Sequence, residues 1–144
     1  MGSKNEYIER IQIALQTTIH KMQPKMTENM NKHGVTATQF HVLMYIRKNT
    51  SCKISEIVEI MGVKPSAVSF MIDRLEQNNF VYREHDKKDR RVVNILLTEE
   101  GMEKLDSIIN DRKEMFEGIL LNFTEEELLQ FVKVTEKLAN TAAD

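Results

Sequence analysis

One cysteine, Cys52, is all the thiol chemistry this 144-residue chain holds. A lone cysteine excludes an internal disulfide and any multi-cysteine metal cluster, and it fits a reducing compartment. Glycine and proline are scarce, at 5 and 2 residues. No low-complexity stretch and no repeat at solenoid spacing appears. No apolar run is long enough to cross a membrane. Met1-Gly2-Ser3-Lys4-Asn5-Glu6 has no apolar signal core, and Glu6 stands where a myristoylation site needs Ser or Thr. The expectation is an unexported, unanchored protein of the cytoplasm. Neither charge sign is in large excess: 20 Lys and Arg face 22 Asp and Glu, for a net charge of −2. A nucleic-acid-binding surface must therefore be a local concentration of positive charge. The four histidines, His20, His33, His41 and His85, include no two-histidine helical motif with a glutamate. No nucleophile stands beside an evident base. The chain is not expected to be an enzyme, and no catalytic residue, metal or cofactor is assigned.

Helical periodicity dominates what remains. At 41% hydrophobic and 29% charged, the chain can bury a core and stay in water as one compact subunit. Ile8, Ile11, Leu15, Ile19, Met22 and Met26 recur at steps of three and four, one apolar stripe of a long helix. Pro24 lies inside that stripe and lacks a backbone donor, so a kink or break is expected there. Thr36-Ala37-Thr38-Gln39 has the form of a capping box opening a second helix, with Val42, Leu43 and Ile46 facing inward. Residues 49–53 look like a short polar connection, and Ile54–Met61 like a third helix of about two turns. Gly62-Val63-Lys64-Pro65 is a turn with Pro65 at the first position of a fourth helix, where its missing donor costs nothing. That helix buries Val68, Ile72 and Leu75.

The pattern then changes. Residues 81–83 and 92–97 are rich in β-branched side chains and bracket the charged stretch 84–91, a hairpin with a long basic tip. Thr98-Glu99-Glu100 caps the next helix, whose stripe is Met102, Leu105, Ile109, Met115 or Phe116, and Ile119. Thr124 and Glu127 form a second capping box, flanked at staple spacing by Phe123 and Leu128. Two short helices and a tight turn followed by a hairpin make a winged helix-turn-helix. The fold class is therefore mainly α with a small β-hairpin wing, in three segments. Residues 1–35 are an N-terminal dimerisation helix, 36–100 the winged helix-turn-helix, and 101–144 C-terminal dimerisation helices. The outer helices carry more apolar stripe than one small winged domain can cover, and a two-fold-related copy is the simplest cover.

Several segments, in this order and spacing, resemble the MarR family of bacterial transcription regulators over nearly the whole chain. They are Ile54-Ser55-Glu56-Ile57, Met61-Gly62-Val63, Val68-Ser69, Asp73-Arg74-Leu75-Glu76 and Phe80-Val81-Tyr82-Arg83. Asp86-Lys87-Lys88-Asp89-Arg90-Arg91 and Thr98-Glu99-Glu100-Gly101 complete the set. The resemblance implies a homodimer joined by its first and last helices, a recognition helix in the major groove and a wing reaching the minor groove. It implies a repressor of a pseudo-palindromic double-stranded operator, released by a small hydrophobic or aromatic effector. A winged-helix protein-interaction module without specific DNA readout is the alternative, since fold alone does not decide.

The residues expected to meet DNA are Lys53, Lys64, Pro65, Ser66, Ser69, Phe70, Arg74, Lys87, Lys88, Asp89, Arg90 and Arg91. Ser66, Ser69, Phe70, Asp73 and Gln77 line the face of the recognition helix opposite its core side. Its serines are either DNA contacts or ordinary solvated residues. Phe70 stands where the family often has a basic residue. Either it packs under the wing, or it meets a thymine methyl or a sugar. Arg74 is assigned to phosphate, against an internal pair with Asp73 or Glu76. Lys53 and Lys64 occupy cap positions where Ser or Thr is usual. Lysine accepts no bond from helix amides and opposes the helix dipole, at a cost of about 1 kcal/mol in the free protein, which a nearby phosphate would reverse. Arg83 joins Lys87, Lys88, Arg90 and Arg91 as the positive charge of the wing. The family pattern implies that Arg91 enters the minor groove while Asp89 holds its guanidinium.

His41 matches a position that ligates metal in zinc-sensing members, but their further histidines after the wing are missing here. Thiol-sensing members carry their cysteine in the first helix, which has none, so Cys52 is expected to be a structural or incidental thiol. Met22, Met26, His41, Met44 and Tyr45 are the candidates for lining an effector crevice between the first two helices and the helix after the wing.

Overall fold

A computed structural model describes residues 2–142 of the chain. Among the described residues, six helices and three strands follow one another as α1 (Lys4–His33), α2 (Ala37–Asn49), β1 (Cys52–Lys53), α3 (Ile54–Met61), α4 (Pro65–Gln77), β2 (Val81–His85), β3 (Val93–Leu97), α5 (Glu99–Ile119) and α6 (Glu125–Ala142). The chain forms two compact units, Met1–Asp111 and Arg112–Asp144.

Helix ends fall where local chemistry puts them. Ser3 accepts the Glu6 amide to open α1, and Gly34 closes it at φ 68, a left-handed conformation that costs glycine little. Thr36 and Gln39 close a reciprocal box at 3.0 and 3.1 Å. In the second unit Thr124 and Glu127 do the same at 2.9 and 3.2 Å, and the Phe123 ring lies 6.4 Å from that of Phe131. Of the kink or break expected at Pro24, the break does not occur. The helix runs through it as one 30-residue element. Pro24 is solvent-exposed, so the carbonyl it leaves without a helical partner is not sealed away from water.

The core of the first unit is Phe40, Leu43 and Ile46 of α2, Ile57 of α3, Val68, Ile72 and Leu75 of α4, Val81 and Ile95 of the hairpin, and Leu105 and Ile108 of α5. Each buried side chain of this size stabilises by roughly 1.5–3 kcal/mol. The α1 stripe divides along its length. Ile8, Ile11, Leu15 and Ile19 are exposed, Met22 and Met26 are half-buried, and Met30 is buried. Polar contacts join α5 to the helices before it: a hydrogen bond between His33 Nε2 and Asp111 Oδ2 at 2.7 Å, and a salt bridge from Arg47 Nη1 to Asp106 Oδ1 at 2.8 Å.

The wing is the larger part of a three-stranded antiparallel sheet in the order β1-β3-β2. The polar connection at 49–53 thus contains a strand. Cys52 pairs with Ile95 and Lys53 with Asn94, covering an edge of β3 that would otherwise be open. The β2 strand also reaches beyond 83, pairing Glu84 with Asn94 and His85 with Val93, so the tip is 86–92. That tip is closed by Asp86 N–H to Val92 O at 2.9 Å and Val92 N–H to Asp89 O at 3.0 Å.

The inward face of α5 is also rotated from expectation. Gly101, Leu105 and Ile108 are buried and Ile109 is half-buried, while Met102 is 48% exposed. Gly101 fixes this phase. A Cβ there would overlap the Phe80 carbonyl oxygen, so only glycine lets the first turn of α5 approach so closely. Thr98 completes the joint. Its N–H donates to Phe80 O at 3.0 Å, its hydroxyl donates to Asn79 O, and the same hydroxyl accepts the Gly101 N–H at 2.9 Å.

Candidate nucleic-acid interface

Lys64 is the N-cap of α4, with φ −64 and ψ 143 and no side-chain cap. Pro65 has no N–H, and the amides of Ala67 and Val68 donate to the Lys64 carbonyl at 3.0 and 3.3 Å. The Ser66 amide is thereby the one first-turn donor left for an outside acceptor. Lys53 caps α3 in the same unconventional way. Its own N–H donates to Glu56 Oε2 at 2.6 Å, but its ammonium has no lone pair to return the bond, so only half a capping box exists.

Beyond the cap, α4 turns Val68, Ile72 and Leu75 inward and leaves Ser66, Phe70, Arg74 and Gln77 exposed on the other side. Ser69 is half-buried at the margin. Phe70 is 65% exposed, so it does not pack under the wing. The Arg74 guanidinium carbon lies 5.6 Å from the centre of its ring.

Asp73 and Glu76 do not pair with Arg74. Both belong to Arg83, whose Nη2 reaches Asp73 Oδ1 at 2.6 Å and whose Nη1 reaches Glu76 Oε1 at 2.8 Å. Burial works against the Arg83 charge, but the bonds to Asp73 and Glu76 outweigh it and hold the guanidinium protonated more firmly than usual. Arg83 is therefore spent on tying the root of the wing to α4 and is not part of the free charge at the tip. Sequence reasoning missed this clamp. The two acids one turn apart on α4 were its only local signal.

At the tip, Lys87, Lys88, Arg90 and Arg91 are exposed, and Asp89 is half-buried. The Arg91 side chain is 91% exposed yet held by its neighbour. Nε donates to Asp89 Oδ1 at 3.1 Å, Nη2 to Oδ2 at 3.2 Å, and the Arg91 backbone N–H to Oδ1 at 3.1 Å. These bonds from Arg91 hold the Asp89 carboxyl below its usual range, and the positive charge of Lys53 adds to the effect. The charge at the cap of α3 thus reaches the wing tip.

The effector candidates are less concentrated. Met22, Met26, Met44 and Tyr45 are half-buried, and His41 is exposed with its ring edge-on to Phe40 at 6.1 Å. Two open hollows lie on α1. One is lined by residues from His20 to Asn31 and the other by residues from Tyr7 to Ala14, and none of the five candidates lines either. Cys52 is buried, and burial, reinforced by Glu56, pushes its thiol up to about 12. Among the described residues, no group of three or more His, Cys, Asp or Glu side chains is placed to hold a metal ion, and no helix is long and apolar enough to cross a membrane.

The sequence pattern of the MarR family matches residues 35–93. Over 142 residues the chain is 46% identical to the HTH-type transcriptional repressor MdtR of Bacillus subtilis (strain 168), covering 99% of this chain and 92% of that protein. It is similar to the crystal structure of the YusO protein from Bacillus subtilis, with a TM-score of 0.85 and 46% identity over 96% of this chain and 99% of that one. It is also similar to a MepR-like protein complexed with pseudoligands, with a TM-score of 0.59 and 33% identity over 92% and 93% of the two chains.

Proposed function

This chain belongs to the MarR family, and from that premise we propose that it is a sequence-specific repressor that binds a pseudo-palindromic double-stranded operator as a homodimer in the cytoplasm and lets go on binding a small hydrophobic or aromatic molecule. The observation that carries this reading is Arg91, a guanidinium 91% exposed at the wing tip and yet fixed in direction by Asp89. A surface arginine gains little stability from such a pair. The same arrangement presents an oriented cation to a narrow minor groove without a further ordering cost.

The remaining residues take complementary roles. Lys64 and the Ser66 amide receive one phosphate at the start of α4, and Lys53 receives another at the start of α3. Ser66, Ser69 and Phe70 face the bases, Arg74 a phosphate, and Lys87, Lys88 and Arg90 flank the minor groove. The segments 1–35 and 101–144 supply the dimer interface around the 36–100 reading head. Support for the dimer comes from α1, whose single stripe is buried at Met30 but open at Ile8, Ile11, Leu15 and Ile19, and from α6, where Leu129, Phe131, Val132, Val134 and Leu138 are exposed. Effector binding is assigned to Met22, Met26, His41, Met44 and Tyr45. Support for an effector is the pseudoligand complex of the MepR-like relative.

The test is the affinity of Arg91→Ala for duplexes from the DNA flanking the protein's own gene. Affinity should fall by tenfold or more, on the order of 1.4 kcal/mol, with thermal stability unchanged. Equal affinity and equal stability would remove the wing from the mechanism.

A further inference from the structure

Phe70 is a large apolar side chain set among polar ones. The outward stripe of α4 is Ser66, Phe70, Arg74 and Gln77, and all four are exposed. Helical side chains lean toward the N-terminus, so the Phe70 ring lies over the turn that carries Ser66. That neighbour is only a hydroxymethyl group, while on the C-terminal side the Arg74 guanidinium stacks at 5.6 Å. With Arg74 against it the ring is still 65% exposed, and it stands in the first half of α4, whose N-terminal end is the one from which recognition helices read bases.

We propose that Phe70 is a specificity-determining residue that reads the 5-methyl group of a thymine in each half-site, a proposal that rests on the DNA-binding reading above. The chemistry selects this partner. A phenyl ring offers no donor or acceptor. Pressed against the O6 and N7 of guanine, the amino group of cytosine or the N6 and N7 of adenine, it would strip water from polar atoms and return nothing. The thymine methyl is the one apolar group that an unmodified major groove presents. Arg74, held against the ring, places its charge beside the base that Phe70 contacts, where it can meet the adjoining phosphate. The pair then acts as one reading unit, with the ring for the methyl and the cation for the backbone.

The experiment uses the full chain and a random-sequence duplex library. Duplexes enriched by the wild-type protein are resynthesised with deoxyuridine in place of each thymine in turn, a change that removes only the methyl group. One position per half-site should weaken wild-type binding about fourfold when changed, and about fifteenfold when both half-sites are changed, the loss expected for one buried methyl each. Phe70→Ala should bind the thymine and uracil duplexes equally. Its thermal unfolding should match wild type, because the ring supports no core. Placing 5-methylcytosine at the same position should recover part of the wild-type affinity lost with cytosine. Uniform tolerance of deoxyuridine by the wild-type protein overturns the proposal, and this arm depends on no variant. An equal uracil penalty in wild type and Phe70→Ala also overturns it. Failure to enrich any sequence removes the DNA-binding reading itself, and the thymine contact falls with it.

Discussion

Lys64→Ser should move two measurable quantities in opposite directions. In the free protein the α4 cap lacks a side-chain acceptor, and the first-turn amide still open is that of Ser66. A serine hydroxyl at position 64 could accept that one bond. A single restored cap is worth about 0.5–1 kcal/mol, and removing a cation from the positive end of the helix adds a few tenths. The melting temperature should rise by about 2–4 °C. Under the proposed phosphate contact, the wild-type lysine supplies a countercharge in the complex, so the variant should bind more weakly. The slope of log affinity against log salt should become shallower by about 0.9 for each lost contact, or about 1.8 across the two copies of a dimer. Thermal denaturation and a salt titration by fluorescence anisotropy on one preparation give both numbers. A lysine that is only solvated predicts the stability gain with an unchanged slope, and that result would refute the phosphate assignment.

Three further outcomes are expected. Arg83→Gln should weaken DNA binding although Arg83 is not assigned a DNA contact, because Asp73 and Glu76 are then left as uncompensated anions on α4; adding Asp73→Asn and Glu76→Gln should recover part of the loss, and no recovery would mean the clamp acts through packing alone. Cys52 should resist iodoacetamide at pH 8 in the folded protein and react once unfolded in guanidinium. Its thiol rises from 9.0 to about 12 on folding, so the native state holds the proton longer and stability should fall as pH climbs through that window, an effect absent in Cys52→Ala. Sedimentation at micromolar concentration should show a dimer, and a species of 16.8 kDa alone would leave the open half of the α1 stripe without its proposed cover.

Much of the fold was legible because its signals are local. The Thr36–Gln39 and Thr124–Glu127 boxes are written within four residues, and Pro65 and Gly62 punctuate their turn by backbone chemistry alone. What escaped depends on distant chain. A two-residue strand such as β1 has no period to detect and exists because β3 offers an edge. Glu84 and His85 lack strand propensity but are carried by register with Asn94 and Val93. In α5, apolar residues at 102, 105, 108 and 109 allow two phases, and the Phe80 carbonyl chooses between them through Gly101. At the candidate site, the pairing of Asp89 with Arg91 is implied by the family resemblance, whose pattern lies within three residues. The Arg83 clamp spans seven and ten residues across two elements and could not be read in that way.

The Gly101 joint has a mechanical consequence. Phe80 N–H is bonded to Leu75 O at 2.9 Å, and Phe80 O receives Thr98 N–H, so the last turn of α4, the root of β2, the end of β3 and the first turn of α5 meet within a few covalent bonds of one carbonyl. With no side chain at 101 there is no compressible layer between helix and backbone, and close-packed atoms pass on displacement instead of absorbing it. The joint therefore leaves the start of α5 in direct backbone contact with the turn that links α4 to β2, so the spacing of these elements is set by main-chain atoms and not by the size of a side chain.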